Sequence, residues 1–188
     1  AMSRPADLDL YLSEIHNIEH HVVDGLYASF LYNHSGLIVN WFRSVFAPEL
    51  QKRGGKSVYD ILNDEMPKEP TNILFLPHNE PLQWPLYNDK TSGVFVGLKM
   101  GTTSGAMFRA VLEGLTYYFV DAVSSLERMG LKPELFIASG GGSRSDAWLQ
   151  IKADILGVPF QRLESGEGSL PGAATLAGLA SGMFKNLD

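Results

Sequence analysis

Cysteine is absent from the 188 residues, which excludes disulfides and thiolate metal sites. No apolar run approaches the roughly 18 residues that a membrane-crossing helix needs. A signal-peptide pattern is also missing, so a cytoplasmic protein without a membrane partner is the expectation. Basic residues do not cluster. Fifteen Lys and Arg stand against 21 Asp and Glu, for a formal net charge of −6, which argues against a nucleic-acid groove. An anionic small molecule stays open as a ligand, because backbone amides bind phosphate without Lys or Arg. Internal repeats and low-complexity segments are lacking too.

Hydrophobic residues make up 45% of the chain and charged ones 19%, the balance of a globular protein. The length suits one domain with a proper core and hardly two, so residues 1–188 are read as a single domain with a polar leader over 1–21. Ala1 precedes Met2 as an appended residue would, and the segment itself is expected to open at Met2. The leader includes His16-Asn17-Ile18-Glu19-His20, which fits the inverted zinc-protease pattern H-x-x-E-H. On a helix His16 and His20 would share one face with Glu19 beside them. The competing reading is an exposed polar segment. It is preferred, since no third ligand is evident and no metal site is assigned.

Farther along, Val22–Tyr32 is rich in aromatic and β-branched residues and reads as a strand. Gly36–Phe46 reads as a helix capped by Asn33 or Ser35, with Trp41 and Phe42 as core rather than ligand platform. Residues 47–72 read as surface turns and one helix. Ile73–Pro77 is a buried strand candidate that enters a long loop from His78 to Ser92, a length often functional. Its lone His78 is read as structural. Gly93–Leu98 is a second strand. Thr102 or Thr103 then caps the longest helix, running to about Met129, where Gly130 stops it. Met107, Ala110, Val111, Leu115, Tyr118, Ala122, Leu126 and Met129 recur at helical spacing along one face. Glu113 and Asp121 interrupt this helix and are assigned to a solvated or domain-facing side.

The chain is organised around Leu135–Gly157, LFIASGGGSRSDAWLQIKADILG. An apolar strand, Leu135–Ser139, leads into Gly140, Gly141 and Gly142. Ser143 or Ser145 then caps a helix whose apolar face is Trp148, Ile151 and Ile155, and Gly157 closes it. Strand, glycine turn and helix start bring backbone close to a phosphate-bearing ligand. A tight turn needing positive φ is the alternative use of those glycines. Val158–Leu163 supplies another strand. Ser169 and Pro171 open a small-residue helix over Gly172–Ser181. The alternation of helix and strand indicates an α/β layer, at least partly parallel.

Three stretches together resemble the C-terminal domain of the FGGY carbohydrate kinases. Gly93–Asp121, GVFVGLKMGTTSGAMFRAVLEGLTYYFVD, looks like the family's second signature, with Ala106 where His, Asp, Glu or Asn is usual. SGGGSRSDAWLQIKADILGVPF resembles its Gly-Gly-Gly strand–helix unit. GSLPGAATLAGLASGMF is similar to its late Gly-Ala-Ala helix, with Pro171 where Leu is usual. Xylulokinase-, gluconokinase- and glycerol-kinase-like members all fit.

The resemblance implies a ribonuclease-H-like, actin-type α/β fold, a mixed sheet flanked by helices and incomplete at both ends. It implies ATP and Mg²⁺ as cofactors of a complete enzyme that phosphorylates a sugar or polyol, the nucleotide lying between two such domains. Carried over by position, Gly101 and Thr102 lie near the phosphates, and Gly140, Gly141, Gly142 and Ser143 form the glycine turn against the nucleotide. Asp146 falls beside the adenine. No catalytic residue is assigned here. The family's Asp-x-Gly-Thr loop and its proton-abstracting aspartate belong to the N-terminal domain, and neither motif occurs in this sequence. The expectation is therefore a kinase fragment that binds nucleotide weakly and is inactive alone. A non-catalytic binding or homodimerisation module is the alternative.

Overall fold

The computed structural model describes residues 2–3, 17–21, 25, 27–30, 34–48, 50, 55–80, 88–128 and 130–186. It divides into two compact units, Ala1–Pro133 and Glu134–Asp188. In the first unit, β1 (Met2–Ser3), β2 (Asn17–His20) and β3 (Tyr27–Phe30) form an antiparallel sheet in the order β1-β3-β2. Helices α1 (Ser35–Phe46) and α2 (Val58–Glu65) follow. Next comes an antiparallel pair, β4 (Leu74–Leu76) with β5 (Val94–Val96) in the register Phe75↔Phe95, and then the 25-residue helix α3 (Ser104–Arg128).

Local chemistry explains where these helices begin and end. At α2, the Ser57 hydroxyl accepts from the Asp60 N–H at 3.2 Å, and the Asp60 carboxylate accepts from the Ser57 N–H at 3.1 Å. That reciprocal capping box satisfies two donors that the helix cannot. Helix α3 starts at Thr103, whose hydroxyl accepts from the Ala106 N–H at 3.2 Å. It ends at Gly130, where φ is 77° and the Leu131 N–H returns to the Leu126 carbonyl at 3.0 Å.

The core of this unit gathers on α3. Every residue from Phe108 to Thr116 is buried, because β4, α2 and α1 all pack on this one helix. The one-sided stripe expected from the sequence therefore does not describe this stretch; farther along, Tyr118, Ala122 and Leu126 are half-buried, Asp121 is exposed, and Met129 lies outside the described residues. Phe42, fully buried, meets Phe108 at 5.6 Å between ring centres, and Phe75 meets Phe95 at 4.6 Å. Half-buried Trp41 stands edge-on to Phe46 at 5.6 Å. At Gly114 helix and strand touch backbone to backbone: a Cβ there would collide with the Phe75 carbonyl.

Burial on all sides forces a correction. Glu113 does not face solvent but is 5% exposed, and the 8%-exposed Arg109 donates to it from Nε at 2.6 Å. Arg109 Nη1 also donates to the Pro67 and Lys68 carbonyls at 2.9 Å, and the Thr71 hydroxyl reaches the second Glu113 oxygen at 3.1 Å. The pair thus ties the stretch between α2 and β4 to the helix.

The second unit is a parallel β-α-β arrangement. Strand β6 (Phe136–Ala138) pairs with β7 (Phe160–Arg162) in the register Ala138↔Arg162, and α4 (Asp146–Leu156) connects them. Phe136 and Phe160 stack at 4.9 Å. Helix α5 (Ser169–Ala180) follows and places Pro171 in its first turn, where a missing N–H does no harm. Among the described residues the strands form three small sheets.

Three further expectations change. Residues 17–20 form a strand, so the helical face that H-x-x-E-H needs does not form, and His16 lies outside the described residues. Helix α1 has His34 at its N-cap with no side-chain cap bond, in place of Ser35, and Asn33 lies outside the described residues. Of the strand assigned to Val22–Tyr32, Tyr27–Phe30 is strand, and residues 22–24, 26, 31 and 32 lie outside the described residues. Among the described residues no helix is long and apolar enough to cross a membrane.

Replacing Arg109 with Leu should cost about 3–5 kcal/mol of unfolding free energy, because Glu113 is left buried without its countercharge. Urea unfolding should show the double variant Arg109→Leu/Glu113→Leu recovering part of that loss. A single variant as stable as the double would refute the account.

Candidate functional site

The glycine turn between β6 and α4 is held from both sides of its own unit. The Leu163 N–H donates to the Ala138 carbonyl at 2.9 Å, and the Gly140 N–H to the Gly166 carbonyl at 2.8 Å. Gly140 itself sits at φ 77°, ψ −172°, a region open essentially to glycine alone. Residues Gly141–Arg144 then wind as one 3-10 turn. Amides at the start of such a turn have no acceptor within it, so Gly141 and Gly142 present N–H groups by position.

Ser143 and Ser145 divide the capping roles that the sequence left open. Ser145 caps α4, accepting from the Trp148 N–H at 3.2 Å. The Ser143 side chain, 2% exposed, turns inward and donates to the Gly140 carbonyl at 2.8 Å, beside its own N–H at 3.1 Å. Its hydroxyl therefore closes the turn rather than facing outward. Asp146 opens α4 with its carboxylate 91% exposed, and an acidic group there is favoured by the helix dipole. Gly157, at φ 65°, ends the helix.

Arg162 is the residue that sequence reasoning missed. From the last position of β7 its Nε donates to the Ser143 carbonyl at 2.6 Å, and its Nη2 pairs with Asp146. One guanidinium thus spans the turn and the first residue of the helix. Nothing in the spacing points to it; only the β6–β7 register brings it beside the turn.

Gly101 and Thr102 belong to the first unit, in the link from β5 to α3. The Lys99 N–H donates to the Thr102 hydroxyl and the Thr102 N–H to the Lys99 carbonyl, both at 2.9 Å. Thr102 therefore ties a tight turn while Thr103 caps the helix, and Gly101 lies at its exposed tip.

Comparison with known proteins decides the lineage. Residues 7–181 match the profile of the FGGY family of carbohydrate kinases, C-terminal domain. The chain belongs to that family. Xylulose kinase of Staphylococcus epidermidis is 32% identical over 180 residues, which are 95% of this chain and 35% of that protein. Gluconokinase of Bacillus licheniformis is 34% identical over 163 residues, 83% of this chain and 32% of its own length. The crystal structure of xylulose kinase from Rhodospirillum rubrum superimposes with a TM-score of 0.71 at 33% identity. It covers 92% of this chain and 34% of that one. The actin-type α/β fold is thereby shared with these kinases. This FGGY chain spans about a third of the length of the curated relatives it matches.

Two other features of this FGGY domain bear on ligands. A cavity of about 190 Å³ lies between β4 and α3, lined among others by Phe75, His78, Glu113, Tyr117 and Tyr118. It is smaller than the roughly 300–1,000 Å³ usual for ligand sites. His78 stands edge-on to Tyr118 there, at 6.1 Å, and burial followed by the nearby Asp121 charge pushes the Tyr118 phenol up. In the second unit, the Lys152 ammonium lies 4.1 Å from the Trp148 ring centre and 5.9 Å from that of Phe160. Burial pushes its pKa down. Among the described residues no three His, Asp or Glu side chains group so as to hold a metal ion.

Gly140→Ala should cost about 1–3 kcal/mol of stability, read by thermal unfolding, since an alanine strains that backbone. Lys152 binds its proton more tightly unfolded than folded, so its contribution to stability rises with pH toward the ordinary 10.5. Urea titrations at pH 7 to 10 should therefore show Lys152→Met with a flatter pH dependence than the parent chain. Parallel curves would count against this account of Lys152.

Proposed function

We propose that the chain is the nucleotide-holding part of an ATP-dependent sugar or polyol kinase. The observation that carries this reading is the Gly140–Asp146 turn: a strand end, a glycine-only backbone, leading amides and a capped helix start in one short stretch. Such a start attracts negative charge through its amides and its dipole. Gly140, Gly141, Gly142 and Ser143 shape the surface against the nucleotide, with Asp146 on its adenine side. Gly101 and Thr102 form the second backbone turn, near the phosphates. The names of the relatives, xylulose kinase and gluconokinase, favour a carbohydrate as acceptor.

In the complete enzyme the acceptor hydroxyl oxygen would form a bond to the ATP γ-phosphorus as the bond to ADP breaks. The hydroxyl proton would pass to a base. Mg²⁺, where bound, would screen the phosphate charge. The residues of this chain would fix the nucleotide so that its terminal phosphate is presented in line, and phosphoryl transfer depends chiefly on such positioning. No proton-accepting group is assigned to this chain.

Isothermal titration with ADP and ATP, run beside a coupled kinase assay with xylulose, gluconate and glycerol, tests the reading. Nucleotide binding without sugar-dependent turnover is expected. Robust turnover by this chain alone would overturn its assignment as the nucleotide side only.

A further inference from the structure

Arg162 carries an inference that rests on the nucleotide reading and deepens it. We infer that Arg162 is a positioning residue that cancels the Asp146 charge at the glycine turn, so that the turn accepts an anion. Asp146 sits at the first position of α4, on the adenine side of the turn, and its exposed carboxylate lies in the positive field of the helix start that would draw a phosphate to the neighbouring Gly141 and Gly142 amides. Left alone, it would repel a nucleotide. Arg162 answers this with two contacts from one planar group. Nη2 neutralises Asp146, and Nε holds the Ser143 carbonyl at 2.6 Å. The second contact matters as much as the first. It pins the 3-10 turn whose leading amides belong to Gly141 and Gly142, so charge cancellation and backbone aim come from the same side chain. A lysine would supply the charge without the two-pronged geometry.

Such a role separates from general stability by its ligand dependence. The Asp146 carboxylate is 91% exposed and the Arg162 side chain 42%, and pairs that open to solvent contribute little to folding. Their effect on a multiply charged ligand is larger, because each phosphate feels the uncompensated carboxylate.

The test is an NMR titration of the chain with ADP and with adenosine at low salt, for the parent, Arg162→Gln, Asp146→Asn and the double variant. Amide hydrogen exchange of Ser143 and Trp148 is read on the same samples. Arg162→Gln should weaken ADP about 3- to 10-fold, an effect that fades as salt is raised. Adenosine should change less than about 2-fold, since it carries no phosphate. Adding Asp146→Asn should restore most of the ADP affinity. Equal losses for ADP and adenosine, or no recovery in the double variant, would overturn the charge role. If the parent chain binds neither ligand, the nucleotide reading itself fails and exchange decides the positioning role. Faster exchange at Ser143 and Trp148 in Arg162→Gln supports Arg162 as the residue that pins the turn, and unchanged exchange overturns it.

Discussion

The first unit depends on a helix that its neighbours enclose. Strand β4 and helices α1 and α2 all pack on α3, so its polar residues cannot reach water over the stretch Phe108–Thr116. A charged pair in that position has to find its partners inside. Arg109 and Glu113 do so with each other, with two carbonyls at Pro67 and Lys68, and with Thr71. The network adds little net stability over apolar packing. Its use is geometric: it makes the connection from α2 to β4 follow one path across the helix. The same enclosure explains why position 114 is glycine, since β4 presses its backbone onto the helix there.

The second unit solves a related problem at smaller scale. A short parallel strand pair and one connecting helix must hold a turn whose backbone lies where only glycine is comfortable. Hydrogen bonds from Gly140 to Gly166 and from Ser143 to Gly140 close it, and Arg162 braces it from β7. The result is a helix start presented with its amides and its dipole in a set direction. A phosphate-bearing ligand suits that kind of surface, and carbohydrate kinases form the family to which the chain belongs.

Much of this was legible without coordinates, and the reason is local. Glycine turns, hydroxyl caps and apolar spacing act within a few residues, so β6, α4, β7 and the long α3 were placed to within a few residues of their observed ends. A cap at Ser143 or Ser145 is legible in the sequence, and only the fold chooses Ser145, because the Ser143 hydroxyl turns inward to the Gly140 carbonyl. The H-x-x-E-H match failed for the opposite reason. Its chemistry needs helical spacing, and antiparallel pairing with β3 makes residues 17–20 a strand. Glu113, expected on a solvated or domain-facing side, is buried inside its own unit, because no sequence period reports how many elements will surround a helix.

By itself, then, the sequence determined the family, the βα order around Gly140–Gly142, the glycine-only backbone and the absence of cysteine chemistry. These are consequences of residue type and short-range spacing. Tertiary structure alone decided that Arg109 and Glu113 are buried partners and that Arg162 braces the turn. The Arg162 contacts join residues 16 to 19 positions apart, and Arg109 reaches back 41 and 42 positions to the carbonyls it holds. Contacts across such separations are chosen by strand register and by enclosure, and neither is written in any local pattern of the chain.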